Sequence, residues 1–237
     1  TPEIEANVAR MPMTILDIFY PRLGMGGVAS GNLSYRFPKS GAPSGKADMK
    51  IRGLSRAGLV LTSQPVDVAV AGVLNGSSAG ARMIAQSGGK EIGRAQMRLS
   101  GIATQGELFD RLAKAPLAAQ LRFNGAAGTL WRLTGIESFD LSGPVAIGAD
   151  VAGTLAAPQI KGSLRTNDAR IESAVTGMVL TNVKASGRFG GSQLIVDSFS
   201  ANAGKDGSVT GKGSFDLAAR NGFGMNIDMQ ATRATVL

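Results

Sequence analysis

The sequence predicts an all-β fold of many short strands with one or two short helices. Three observations carry that prediction. Glycine supplies 33 of the 237 residues, about twice its usual ~7% share. Apolar and polar residues alternate along most of the chain. A short unit built around a glycine recurs through the alternating stretches. A helical bundle would lose about 1 kcal/mol at each interior Gly relative to Ala, whereas tight turns between strands use Gly freely.

Taken in order, the first predicted helix is "MPMTILDIFYPRL", with Ile15, Leu16 and Phe19 at helical spacing ahead of Pro21. "GMGGVA" (Gly24 to Ala29) reads as a Gly-rich turn, and "SGNLSYRF" after it alternates like a strand. The second predicted helix is "GELFDRLAKAPL", with Leu108, Leu112 and Ala115 before Pro116. Beyond it the strand signal dominates. "FDLSGPVAIGADVAG" alternates through Leu141, Val145, Ile147 and Val151, and "SQLIVDSFS" through Leu194 and Val196. "GSVTGKGSFDLAA" alternates through Val209, Phe215 and Leu217, and "FGMNIDMQA" through Met225, Ile227 and Met229. At "GTLAAPQIKGSLR" the apolar parity switches from odd at Leu155 to even at Ile160 and Leu164. Pro158 therefore marks a change of strand, since Pro cannot donate to a ladder and each strand restarts its own alternation.

The recurring unit is a small or basic residue, then Gly, any residue and a large apolar one. It occurs as "SGNL" at Ser30, "AGTL" at Ala127 and Ala152, "KGSL" at Lys161, "SGRF" at Ser186 and "KGSF" at Lys212. Its irregular spacing excludes a strict solenoid and points to stacked strands with Gly at one inward position. The whole chain, 1–237, reads as one continuous β-rich segment, with the most plausible seam near Gly135 to Gly143. It opens on Thr1 rather than Met and shows no signal peptide, which reads as a piece of a longer protein.

With 25 Lys and Arg against 17 Asp and Glu, the chain carries a formal charge of +8, which favours anionic partners. The basic residues are scattered singly, as at Arg94, Arg98, Arg111 and Lys114. They form none of the runs of a nucleic-acid arm, so no nucleic-acid partner is expected.

The sequence contains neither Cys nor His, which removes thiolate nucleophiles, the usual general base and nearly all zinc sites together. "SGGK" (Ser87 to Lys90) has the S-x-x-K spacing, but its two glycines make a turn. "GSVTGKG" (Gly207 to Gly213) is one residue short of a P-loop and has Gly where Mg²⁺ would need Ser or Thr. "GMGGVA" precedes a strand rather than the helix a dinucleotide fingerprint requires. Glu107 and Asp110 precede Arg111 and Lys114 and read as a solvated face of ion pairs. Trp131 reads as core or as the cap of a sheet end. The expectation is a non-enzyme with no catalytic residues, metal or cofactor.

From Ala149 to Ala219 the residues follow an ordered series. First comes G-T-L-x-x-P-x-(I/V)-x-G-x-L at Gly153 to Leu164, then Gly177 ahead of a strand at Met178 to Val183. "LIVDSFSANAGKDGSVTGKGSFDL" follows at Leu194 to Leu217. This series resembles the TamB family, the inner-membrane-anchored subunit of the translocation and assembly module and a member of the wider AsmA-like group. The "PMTILDIFYPRL" and "LAKAPLAAQLRFNG" stretches are compatible with it.

The resemblance implies an elongated, open, taco-like or solenoid-like sheet whose concave side is apolar. It implies a place in the periplasm of a Gram-negative bacterium, in a protein anchored in the inner membrane by a segment outside this chain. The implied work is outer-membrane biogenesis: phospholipid transport between membranes, and assembly or secretion of outer-membrane proteins and autotransporters. The implied partners are phospholipid acyl chains, a TamA-like outer-membrane protein reached by the full-length molecule, and outer-membrane protein clients. The groove-lining candidates are Leu155, Ile160, Leu164, Leu194, Val196, Val209, Phe215 and Leu217. Three alternatives stay open: strand templating of clients without lipid transport, the closed core of a sandwich or barrel, and an enzyme acting on envelope polysaccharide.

Overall fold

A computed structural model describes residues 3–18, 20, 23–36, 42–58, 61–217 and 224–233. The fold is all-β: 71% strand, with fourteen antiparallel strands in one open, unclosed sheet and three short helices. The first six strands are β1 (Glu3–Pro12), β2 (Met25–Arg36), β3 (Ser44–Arg56), β4 (Val66–Asn75), β5 (Ser78–Ser87) and β6 (Lys90–Leu99). Helix α1 (Leu108–Lys114), β7 (Leu117–Ala126), helix α2 (Ala127–Thr134), β8 (Phe139–Ser142) and β9 (Pro144–Gly153) follow. The last five strands are β10 (Pro158–Ser173), β11 (Val179–Gly191), β12 (Gln193–Ala203), β13 (Gly207–Asp216) and β14 (Met225–Thr232). Neighbours in sequence are neighbours in the sheet, except that β8 leaves the path and pairs with β10. The closed sandwich or barrel is therefore not the arrangement found.

The contacts divide the chain into two compact units. One comprises 1–56, 65–121 and 150–159; the other comprises 57–64, 122–149 and 160–237. The 135–143 stretch lies wholly inside the second.

Turn chemistry follows the sequence. Gly88 and Gly89 both take positive φ, 58° and 76°, as a tight two-residue hairpin loop of primed type requires. "SGGK" is thus the β5–β6 turn. At "AAPQ" the chain does change strand: Thr154–Ala157 form the turn and Pro158 opens β10, a position where its missing N–H costs no ladder bond.

Three local readings need correction. The first predicted helix is only a 3₁₀ turn, Met13–Ile18, because prolines at 12 and 21 leave no room for more and Thr14 and Ile15 are β-branched. Asp17 accepts a hydrogen bond from the Gly24 amide at 3.0 Å and fixes the exit of that turn; Phe19 lies outside the described residues. "GMGGVA" is strand rather than turn, with a register shift between Gly26 and Val28 where Gly27 takes φ 114°. The "AGTL" at Ala127 opens α2, whereas the identical "AGTL" at Ala152 ends β9 and enters a turn. Surroundings decide here, since α2 is amphipathic and closes on the left-handed Gly135, and tertiary context overrides local preference.

Two small apolar clusters anchor the units. In the first unit Leu99, Ile102, Ala115 and Leu117 are buried, with Leu112 of α1 packed against them. In the second, Ala169, Leu180, Val183, Ala201, Ala203 and Val209 are buried, joined by Ile171, Met178 and Phe199. Among the described residues no large side chain is fully buried.

Candidate functional site: a sheet with two chemically distinct faces

Residues directly opposed on neighbouring strands share a face, and successive residues alternate between faces. In the second unit Gly162 stands opposite Phe189, Phe189 opposite Leu194, Leu194 opposite Phe215, and Phe215 opposite Met225. That row crosses five strands, about 19 Å at ~4.8 Å per strand. Stepping by two adds Ile160 and Leu164 on β10, Val196 on β12, and Ile227 and Met229 on β14. The next row on the opposite face reads Ser163, Arg188, Ile195, Ser214 and Asn226. Lys161, Arg165, Ser186, Ser198, Lys212 and Asp228 join that polar face.

The recurring Gly-x-large unit now has a physical meaning. Gly162 sits opposite Phe189, while Leu164, two residues on, sits opposite Gly187. Gly213 likewise faces Val196 on one side and Ile227 on the other. Each strand offers a hole beside a knob, and antiparallel register sets one against the other.

The first unit repeats the pattern. Ala6, Leu33, Ala47, Gly72, Ala81 and Met97 form one row across six strands. Val8, Gly31, Met49, Val70, Met83 and Ala95 form the next row on the same face. Ile4, Tyr35, Gly45, Leu74, Ala79 and Leu99 form a third row on that face, where Tyr35 is the one titratable side chain. The other face carries Asn7, Asn32, Asp48, Ala71, Arg82 and Gln96.

The sequence-derived groove residues separate into three groups. Ile160, Leu164, Leu194, Val196 and Phe215 share the apolar face and are half-buried. Val209 lies on that face too, opposite Ala201, but belongs to the buried cluster at one end of it. Leu155 and Leu217 stand outside the strands: Leu155 on the β9–β10 turn, 47% exposed, and Leu217 just past β13, 40% exposed. Sequence reading missed the outer end of the face as a site. On β14, Met225, Ile227 and Met229 are 68%, 43% and 60% exposed; their even spacing was visible, but which strand ends the row was not.

One part of the apolar face is covered. Ile102, Leu112 and Ala115, from α1 and its flanking loops, pack with Leu74, Ala79, Met97 and Leu99. Backbone bonds from Ile102 N to Ser77 O (2.8 Å), Ser100 N to Pro116 O (3.1 Å) and Ala156 N to Ala113 O (3.0 Å) hold this segment down. The predicted helix residue Ala115 is 2% exposed within it; the side chain of Leu108 is outside the described residues.

On the polar side of the first unit lies an open depression of about 810 Å³. Its polar-face lining is Ala71, Val73, Gly80, Arg82, Gln96 and Arg98, extended on β7 by Ala118 and Gln120. Gln96 Nε2 donates to Gln120 Oε1 at 2.8 Å.

The other chemistry considered from sequence is dispersed. Glu107 precedes α1 without a capping bond, and Asp110 lies in the helix's first turn. Trp131 donates its indole N–H to Phe139 O at 2.7 Å, pinning α2 to β8. Arg132 meets Asp140 with both forks, at 2.9 and 2.6 Å, and this hydrogen bonding raises the guanidinium pKa further above its ordinary value. Among the described residues no group of three or more carboxylates is placed to hold a metal ion. No described helix is long and apolar enough to cross a membrane. No family model matches the chain, and no curated protein or solved structure matches it either.

Proposed function

We propose that this chain is a periplasmic segment of a TamB-like, inner-membrane-anchored protein, and that its apolar face carries phospholipid acyl chains between membranes during outer-membrane biogenesis. The assembly and secretion of outer-membrane proteins and autotransporters, with a TamA-like partner, belongs to the full-length molecule. The observation that supports this reading is the face itself. Ile160, Leu164, Phe189, Leu194, Val196, Phe215, Met225 and Ile227 run on without an ionisable side chain, in a sheet that no second sheet covers among the described residues. Each methylene that leaves water for such a face contributes about 0.8 kcal/mol, so partial contact along one acyl chain is worth several kcal/mol. Chain-to-face contact is non-directional, which suits a ligand that must slide.

The test places a photoreactive side chain at Phe215 and, separately, at Ser214 in the full-length protein in cells. These neighbours face opposite ways. Phospholipid capture at Phe215 and none at Ser214 is the expected result. Absence of capture at both, in a folded protein, would reject the conduit.

A second reading, strand templating of outer-membrane clients, draws on β14. Among the described residues it pairs only with β13, and all eight of its residues are exposed, as in a strand that accepts a further one. Proline at Gln230 would abolish client pairing and leave lipid capture at Phe215 intact if templating were the function.

A further inference from the structure

We propose that the polar-face depression of the first unit is a binding site for a phosphate-bearing ligand, with Arg82 and Arg98 as its two cationic arms. The charges on its walls carry the inference. Among the described residues Arg82 and Arg98 are the only ionisable ones lining it, two positive charges with no carboxylate. Other depressions are mixed in sign: in the first unit one joins Glu5 and Asp48 to Lys46 and another Glu3 and Glu5 to Arg36 and Lys46, and in the second unit one joins Asp168 to Lys184. Four arginines of this protein meet carboxylates: Arg36 meets Glu3, Arg132 meets Asp140, Arg170 meets Glu172 and Arg188 meets Asp197. Arg82 and Arg98 are in no ion pair among the described residues.

Register holds the two arms together. Arg82 stands opposite Gln96, and Arg98, two residues further along β6, stands opposite Gly80. They are diagonal neighbours on one face, within reach of each other's long side chains. Arg94 flanks Gln96 on its other side, opposite Ile84, and adds a third positive charge to the same face. Like charges held this close repel, and a counter-anion between them relieves the repulsion. The small residues Ala71, Gly80 and Ala118 leave the space, and Gln96, bonded to Gln120, orients the Gln120 amide N–H groups as further donors. Paired guanidinium forks with amide donors match the geometry of phosphate oxygens better than a lone carboxylate. The ligand class is a phosphate mono- or diester, and its source is either a lipid headgroup or a free phosphorylated compound.

The experiment uses the 237-residue chain, a double variant Arg82→Gln/Arg98→Gln, and a control double variant Lys50→Gln/Arg52→Gln. The control removes the same charge from the same face of β3. The side-chain amide N–H resonances of Gln96 and Gln120, which line the depression and are kept in both variants, are followed by NMR during titration with inorganic phosphate. Retention on phosphatidylglycerol vesicles is compared with retention on phosphatidylcholine vesicles.

The expected result is a saturable shift at the Gln96 and Gln120 amides, or preferential retention on the anionic vesicles, with binding weakened at least tenfold in the first double variant and unchanged in the control. Saturation by phosphate with equal vesicle retention identifies a free phosphorylated compound. Anionic-vesicle retention without saturation by phosphate identifies a headgroup. The proposal is overturned if neither probe responds, or if both double variants lose binding equally, because binding would then follow net charge alone. Both altered side chains of the first variant are exposed, and an unchanged amide spectrum establishes that it folds.

Discussion

At Gly162 the chain needs a missing Cβ for two separate reasons. Its φ of 154° lies where side-chain-bearing residues are strained, and a Cβ there would run into the carbonyl oxygen of Gly148 and stand 2.8 Å from Ala149 Cα. Gly190, on the polar face one residue before the end of β11, has open space around it and no positive φ. Gly162→Ala is therefore expected to destabilise by about 2–3 kcal/mol, and Gly190→Ala to stay within about 0.5 kcal/mol of the parent. Urea denaturation midpoints at constant m would separate them, and equal midpoints would refute the close approach of the β9 backbone at Gly162. The repeat itself was legible in "KGSL", "SGRF" and "KGSF" because Gly and the large residue share parity. What could not be read was that Gly162 meets Phe189 while Leu164 meets Gly187, since that depends on where the β10–β11 turn falls and on two shifts, at Thr166/Ala169 and Ala169/Ile171, that cancel each other.

Elements follow the sequence where period and punctuation agree and depart from it where burial decides. The α1 segment was legible from Leu108, Leu112 and Pro116, yet its task was not. It lays Ile102, Leu112 and Ala115 over the Leu74–Ala79–Leu99 row and shuts that stretch of the apolar face. Ile102 is 4% exposed, whereas Ile136, in the loop after α2, is 45% exposed. Ile102→Ala should cost about 2–4 kcal/mol through lost burial and the cavity left behind, and Ile136→Ala less than about 1 kcal/mol. Amide hydrogen exchange would report the first as faster exchange at the ends of β4, β5 and β6. Unchanged protection there would mean that α1 does not cover the face. Helix α2 is held differently, by the two-forked Arg132–Asp140 pair and the Trp131 indole bond. Because the Arg132 pKa is raised from an already high value, this attachment holds throughout the neutral pH range. Asp140→Asn should weaken it by about 1–2 kcal/mol, an estimate discounted for the pair's partial exposure.

Over the whole molecule, the alternation that placed Ile160, Leu164, Leu194, Val196 and Phe215 on one face was readable because a period of two survives any register, provided bulges come in compensating places. Net charge was readable as a total of +8 but not as a single-signed depression, because Arg82 and Arg98 are brought together by the β5–β6 pairing rather than by a run of basic residues. The lipid-path reading makes a demand on the face that a structural core would not. If acyl chains lie on it, a charge at its exposed outer end must repel them without disturbing the fold. Ile227 is 43% exposed and stands opposite Gly213, next to the Phe215–Met225 pair; Asn226 is its exposed neighbour on the polar face. A charge set in an apolar lipid environment costs about 2.5–3.5 kcal/mol, so Ile227→Asp should lower lipid capture at Phe215 by at least tenfold. Asn226→Asp adds the same charge on the other side and should leave capture unchanged. If both substitutions reduced it equally, long-range charge rather than contact with the face would govern lipid binding. If neither did, the acyl chains captured at Phe215 would not reach β14, and the path would run through β10 to β13 alone.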